Sequence, residues 1–318
     1  MSQGRGLAIL GLAWVAIFAG FATATGWDRF ASPDNLQNLL RQATIVSMAA
    51  IGATFVIVRG AIDLSVGSAV ALVTVVTAAV LRGGGHPVLA ALAGIASGVA
   101  VGGLNGGVVR SLRVSPFIAT LGTLLIVRGI AKGIAEDQKI DAPLSMLRWL
   151  TAKLPPESVW MLVPPGVWIT LLTAVVAALV LRNTVFGRNV VASGSNETAA
   201  HMAGISTGSS LIGAFLVGGL CAGLAGLLQF SRLTVGDPTV AGGLELDVIA
   251  AVVIGGASLS GGRGSVAGSL LGALVMATIR AGCSQWGLPN WVQEIATGTI
   301  IVLAVALDRI RARESAPL

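Results

Sequence analysis

The segment 59–72, RGAIDLSVGSAVAL, sets one aspartate and two serines, Asp63, Ser65 and Ser68, into an otherwise aliphatic stretch. A second polar insertion, GLELDVIAAVV at 243–253, carries Glu245 and Asp247 at the head of another apolar run. Carboxylates in such surroundings can accept hydrogen bonds from a polar solute, pair with a cation, or take up the free N–H groups at a helix start. Catalysis finds little support. His86 and His201 lie in separate segments, and neither belongs to a group suited to holding a metal or acting as a general base. The stretch GGASLSGGRGS at 255–265 resembles a phosphate loop only in its glycines, since it lacks the lysine and the preceding soluble strand. No catalytic residue, no metal ligand and no resident cofactor is expected, and the chain does not read as an enzyme.

The elements that hold these residues are set by composition. The 318 residues are 54% hydrophobic and only 11% charged, with a mean hydropathy of +0.87. A soluble domain carries about 25% charged residues because water must wet its outside. Here lipid covers most of the surface. The net charge of +6 does not point to nucleic acid, because the arginines are scattered singly rather than gathered on one polar face.

Crossing a bilayer as a helix takes about 20 apolar residues. Ten spans are predicted, at about 6–25, 36–58, 64–81, 88–109, 116–135, 161–181, 209–228, 244–258, 265–281 and 291–307. The first lacks a charged n-region and a small-residue cleavage site, so it is expected as a helix rather than a removed leader. Alternating β-type periodicity is absent. Cys221 and Cys283, in separate spans, are expected as small buried residues. The expectation is an all-α integral membrane protein, one transmembrane domain over 1–318, with some short or broken spans and a weak two-fold internal repeat.

With the N-terminus inside, ten spans place Arg5, Arg59, Arg110, Arg113, Arg182, Arg188, Arg263, Arg309, Arg311 and Arg313 on the cytoplasmic side. The outer side then receives Asp28, Asp34, Glu136, Asp137, Asp141, Glu157 and Asp237 with a few basic residues. Short arginine-rich loops mark the cytoplasmic face. Trp27, Trp149, Trp160, Trp286 and Trp291 fall at outer ends, where an indole prefers the headgroup layer. Both termini are therefore expected in the cytoplasm. The one long external loop, 136–160, reads either as a surface helix carrying Leu144, Leu147, Trp149, Leu150 and Leu154 or as a packed connector.

Glycines in helical register, Gly94, Gly98, Gly102 and Gly106 in one span and Gly264, Gly268 and Gly272 in another, predict seams where helix backbones meet closely. The spans at 64–81 and 244–258 are short, and each opens on an acid. A charge near mid-membrane costs about 2.5–3.5 kcal/mol on insertion scales, and short paired spans in a transporter point to the translocation region. Asp63 can equally be an N-cap of the helix starting LSVGS. The internal loop 182–208 contains SNETAAHMAGI, a short helix capped by Asn196 or Ser195 with Glu197 in its first turn. Its position suits docking of a soluble partner.

Five ordered stretches then carry a resemblance: GAIDLSVGS (60–68), SPFIATLGTLLIVRGIA (115–131), GRNVVASGSNETAAHMAGI (187–205), GLELDVIAAVVIGGASLSGGRGSVAGSLLGALV (243–275) and IIVLAVALD (300–308). Together they resemble the membrane permeases of monosaccharide-type bacterial ABC importers, the family of the ribose permeases. The resemblance implies a permease subunit in the bacterial inner membrane, paired with a second copy or a paralogue. It also implies cytoplasmic ATPase subunits that carry the ATP and an external sugar-binding protein. By similarity Gly187, Arg188, Ala192, Gly194, Asn196, Glu197, Ala199, Ala200 and Gly204 couple to the ATPase. Asp63, Ser65, Ser68, Asn105, Phe117, Thr120, Glu245 and Asp247 belong to the core near the transport path. Leu244, Arg280 and Glu294 depart from the family pattern, and an Arg280–Glu294 pair near the outer mouth is expected. A stand-alone secondary transporter or facilitator, or a permease of the branched-chain amino acid ABC branch, are the alternatives.

Overall fold

A computed structural model describes residues 3–154 and 161–314. Glu157 and Trp160, counted above among the outer residues, lie outside the described residues. The chain forms α1 (Gln3–Thr25), the single turn α2 (Trp27–Phe30), α3 (Pro33–Val58), α4 (Val66–Arg82), α5 (Pro87–Leu112) and α6 (Pro116–Ala135). There follow α7 (Pro165–Asn183), α8 (Val185–Ser195), α9 (Glu197–Met202), α10 (Thr207–Leu233), α11 (Leu244–Ile254), α12 (Val266–Gln285) and α13 (Asn290–Glu314). Two-residue strands, β1 (Ile140–Asp141) and β2 (Val235–Gly236), pair antiparallel. Pro33, Pro87, Pro116 and Pro165 open four of the long helices at their first position. The missing N–H costs nothing there, and the fixed φ suits a helix.

Each of the ten expected spans coincides with a helix, but they are unequal. Among the described residues seven are long and apolar enough to cross a membrane: α1, α3, α5, α6, α7, α10 and α12. The other three, α4, α11 and the apolar part of α13, are shorter. At 11 residues, α11 rises about 16 Å, half the hydrocarbon thickness.

Helix α3 is the centre of the molecule. In its most apolar window 89% of residues are buried, against 6% for α1, which lies at the periphery. Around α3 pack α10, α12, α11 and α7. The glycine seams form where spacing placed them. A Cβ on Gly98 would come within 2.7 Å of the Gly223 backbone, and one on Gly102 within 2.9 Å of Gly219 Cα. The repeat in α5 therefore lies against Gly219 and Gly223 of α10. In α12, Gly268 and Gly272 face the backbone of Gly255 and Ala251 at the end of α11. Such approach gains dispersion contact that lipid does not improve on. Cys221 and Cys283 are free and buried.

The described part of the loop after α6, residues 136–154, packs as a connector bearing the 3₁₀ turn Met146–Leu150, with Leu147 buried. Thr151 donates from both N and Oγ1 to Ser231 Oγ at 3.0 and 2.9 Å, and Ser231 Oγ donates to Arg148 O at 3.0 Å. These bonds tie the loop to the end of α10.

Candidate functional site

Between α3 and α4 the chain leaves helical geometry for residues 59–65 and runs back into the interior before α4 begins. Ala61, Asp63, Leu64 and Ser65 are all buried. Backbone groups in such a stretch need partners from outside it, and neighbouring spans supply them. Leu64 N donates to Thr120 Oγ1 at 3.1 Å, and that hydroxyl donates to Ile62 O at 3.1 Å. Asp63 Oδ1 accepts from Ser65 N at 2.8 Å, Ser65 Oγ at 2.6 Å and Asn105 Nδ2 at 3.3 Å. Asn105 Nδ2 also donates to Ser65 Oγ at 2.8 Å. Asp63, Ser65, Asn105 and Thr120, from three separate stretches of sequence, thus make one buried network. Asp63 is not itself the N-cap. Ser65 holds that position, and the carboxylate fastens the turn just before it. Ser68 lies one turn further and donates to Ser65 O at 2.8 Å. Phe117 is half-exposed and joins the network only through its carbonyl, 3.3 Å from Thr120 Oγ1.

The first turns of the two shortest membrane helices meet. Gly67 of α4 sits directly against the Glu245 carboxylate and the carbonyl of Ala241, with no room for a Cβ. Glu245 Oε1 accepts from Gly243 N at 3.3 Å, while its Oε2 is buried without a hydrogen-bond partner. Arg128, inside the apolar α6, donates to Pro238 O at 2.9 Å and Val240 O at 2.7 Å, fixing the irregular chain that leads into α11. Asp247 is buried and pairs with Arg280 of α12, Nη2 to Oδ2 2.5 Å. The expected Arg280–Glu294 pair is therefore replaced. Helix α11 packs on α12 and brings a buried anion within reach of Arg280, whereas Glu294 is an exposed residue of α13. Beside this pair lies a cavity of about 230 Å³, lined by residues of α3, α10, α11 and α12 that include Gln42, Gln229 and Arg232.

Three loops converge at the other end of α3. Gly194 lies directly on Val58 O, and Gly262 N donates to the same carbonyl at 2.8 Å. A Cβ on Gly261 would lie 2.9 Å from Gly60 Cα. Arg59, itself buried, donates through Nη2 to Glu197 Oε1 at 2.6 Å and to Thr207 O at 3.2 Å. Asn196 caps α9, its Oδ1 accepting from Ala199 N at 2.9 Å. Gly204 follows α9 at φ +82°, where a side chain would be strained. Ala200 is turned inward, while Ala199 and Met202 are exposed. The expected loop 182–208 carries a further helix, α8. Thr184 Oγ1 accepts from Gly187 N at 3.1 Å to start it, and Gly187 seats its first turn on the end of α7. Arg188 is exposed, and Ala192 lies half-buried on α8.

Sequence reasoning missed Arg128, Arg232, Gln42 and Gln229. A guanidinium inside an apolar run is itself a signal, because its cost demands an acceptor, and Arg128 could have been found that way. The glutamines carry no such mark.

Central packed helices, the short α4 and the half-length α11 meeting by their first turns, and a loop knot at one end define a polytopic membrane transport protein. The chain belongs to the family described as branched-chain amino acid transport system / permease component, whose profile matches residues 35–305. It is 35% identical over 283 residues to the ribose import permease protein of Escherichia coli strain K12, covering 88% of this chain and 87% of that one. It is 37% identical over 280 residues to the ribose import permease protein of Bacillus subtilis strain 168, covering 88% and 86%. With the L-arabinose ABC transporter permease protein of Azospirillum brasilense it shares 36% identity over 290 residues, covering 89% and 82%. No solved structure matches.

Proposed function

We propose that this chain is the membrane permease subunit of an ATP-driven importer for a monosaccharide or a related small polar solute. A second permease subunit, two cytoplasmic ATPase subunits and an external binding protein complete the machine in the bacterial inner membrane. ATP is bound and hydrolysed on the partner, and this chain carries neither catalytic residue nor cofactor. The family description names amino acids, but the relatives reported above carry sugar names over nearly their whole length, which favours the sugar. A stand-alone facilitator would function without an ATPase, and the knot around α9 gives a reason to expect one.

The observation that carries the reading is the meeting of α9 with the helix break. Arg59 ends α3, Glu197 opens α9, and their ion pair joins the exposed capped turn directly to the buried chain that leads to Asp63. Movement of α9 by a partner beneath it is thereby passed to residues 59–65 and to the start of α4. Gly194 and Gly262 pass it equally to the segment that follows α11. In this reading Gly187, Arg188, Ala192, Gly194, Asn196, Glu197, Ala199, Ala200 and Gly204 form the seat of the ATPase. Asp63, Ser65, Asn105 and Thr120 hold the break open beside the path, with Ser68, Phe117, Glu245 and Asp247 around it.

The test is Asn196→Ala in the complete transporter reconstituted in liposomes. Loss of the cap costs about 1 kcal/mol of local stability. Membrane insertion and assembly should survive, while sugar uptake and ATP hydrolysis stimulated by the loaded binding protein fall together, by fivefold or more. Unchanged stimulation would reduce α9 to a connector. Uptake by the permease alone, without ATPase, would establish the facilitator instead.

A further inference from the structure

We propose that the cavity between α3, α10, α11 and α12 recognises the transported solute, and that it selects a small hydroxylated monoanion, a sugar acid, over the neutral sugar. The inference rests on the importer reading above and narrows its substrate.

The polar lining consists of Gln42, Gln229, Arg232, Asp247 and Arg280, with the backbone of Gly242 and the first turn of α11 beside them. The charges do not balance. Two guanidiniums face one carboxylate, and that carboxylate is already committed, because Asp247 pairs with Arg280. Arg232 has no ion pair and no hydrogen bond among the described residues. The surrounding charges keep the imbalance. Arg41 lies close enough to Arg232 to repel it, and its Nε is buried without a partner. Glu245, a second nearby acid, is turned to Gly67 of α4 and offset by Arg128. With Arg41 and Arg128 included, four guanidiniums stand against three carboxylates, Asp237, Glu245 and Asp247.

Arg232 is an exposed residue in the last turn of α10, open to an incoming solute, and a neutral sugar would leave it without a counter-charge. A solute carboxylate gives it one, with the short bidentate geometry that guanidinium and carboxylate share. The remaining groups suit hydroxyls. Asp247 Oδ1 is buried with no hydrogen-bond partner and stands ready to accept from one. The amides of Gln42 and Gln229 can both donate and accept. At about 230 Å³ the space lies below the roughly 300 Å³ at which pockets for drug-sized ligands begin, as a small solute requires. A branched-chain amino acid fits the charges poorly, since its ammonium group would need a free carboxylate and the one carboxylate in the lining, Asp247, is paired with Arg280.

The experiment is equilibrium binding of radiolabelled D-gluconate, D-ribose and L-leucine to the full-length permease in nanodiscs, with its ATPase present. Gluconate is expected to bind at least tenfold more tightly than ribose or leucine, with an affinity that weakens as salt rises. Arg232→Gln should cut gluconate affinity at least tenfold and leave ribose within twofold, while Arg232→Lys keeps most of it. Gln42→Ala should weaken both sugars alike, so a fold-compromised Arg232 variant is recognised by parallel losses. Equal or tighter binding of ribose or leucine, or gluconate binding indifferent to Arg232→Gln, overturns the proposal. Co-purification of the ATPase with no gluconate preference overturns this inference alone. An ATPase that never associates overturns the importer reading beneath it.

Discussion

Asp63 shows how a carboxylate can be held in the interior of a membrane protein by hydrogen bonds alone. Three donors converge on its Oδ1, from Ser65 N, Ser65 Oγ and Asn105 Nδ2, so burial is offset by hydrogen bonds rather than by a counter-cation. The Asp247–Arg280 pair is the opposite case, a buried anion balanced by a guanidinium. The two acids should therefore respond differently to neutralisation. Asn at position 63 keeps an acceptor oxygen for Ser65 N, whereas Leu leaves the three donors unpaired at about 1–3 kcal/mol for each buried group. Asp63→Leu is expected to lie at least about 2 kcal/mol below Asp63→Asn in stability, read by thermal unfolding of the purified chain in detergent. Equal losses would mean that the charge, and not the hydrogen bonds, is what position 63 supplies.

The helices carry the signals that a sequence displays best, and also those it hides. Every fourth residue being glycine in α5 announces a close backbone approach, because no other purpose needs that spacing in a span. The partner is not announced. Gly219 and Gly223 of α10 come opposite only through the three-dimensional arrangement, and one sequence holds no pairing information. The short lengths of α4 and α11 were legible, as was the capped turn at Asn196. The Arg280–Glu294 pairing failed for a related reason: it took the nearest acid on the next span, whereas α12 packs on α11, where Asp247 waits. Helix α8 was hidden by two glycines in TVFGRNVVASGS, Gly187 and Gly194, which lower helix propensity until Thr184 caps the first turn and packing against α7 fixes it. The cavity was hidden most fully, since its polar residues are spread over four helices, with Gln229 and Arg232 together on α10 and the others one to a helix. The seam itself can be measured. Gly102→Ala drives a methyl into the Gly219 backbone and should cost about 1–3 kcal/mol, the range for overpacking. Gly107→Ala, with nothing within 4 Å of its Cβ, should be neutral or slightly stabilising. If both variants unfold at the same temperature as the parent chain, α5 and α10 are not packed as described.

The two ends of the molecule differ in charge, and that difference predicts how it sits in a membrane. Near α9 lie Arg59, Arg110 and Arg263, with Glu197 as the acid bound to Arg59. Two contacts knit them to one end: Arg110 lies against Gly208 at the start of α10, and Gly262, next to Arg263, bonds Val58 O. At the opposite end acids and bases are mixed. Lys153 pairs with Asp34 at 2.8 Å, Lys139 with Asp237 at 3.3 Å, and Arg148 stacks on Trp149. Arginine-rich short loops stay on the side of synthesis, so the α9 end is expected to face the cytoplasm, within reach of an ATPase. Surface labelling decides the matter. Leu144, 75% exposed, lies in the mixed-charge connector, and Met202, 78% exposed, on α9. Cys221 and Cys283 are buried in their helices, so the parent chain should give little background. In intact cells whose outer envelope admits the reagent, a membrane-impermeant maleimide should label Leu144→Cys and leave Met202→Cys untouched. Permeabilising the inner membrane should then make the second variant react as fully as the first. Labelling of Met202→Cys from outside would turn the molecule over, and with it the whole route by which ATP hydrolysis is taken to reach the break at Asp63.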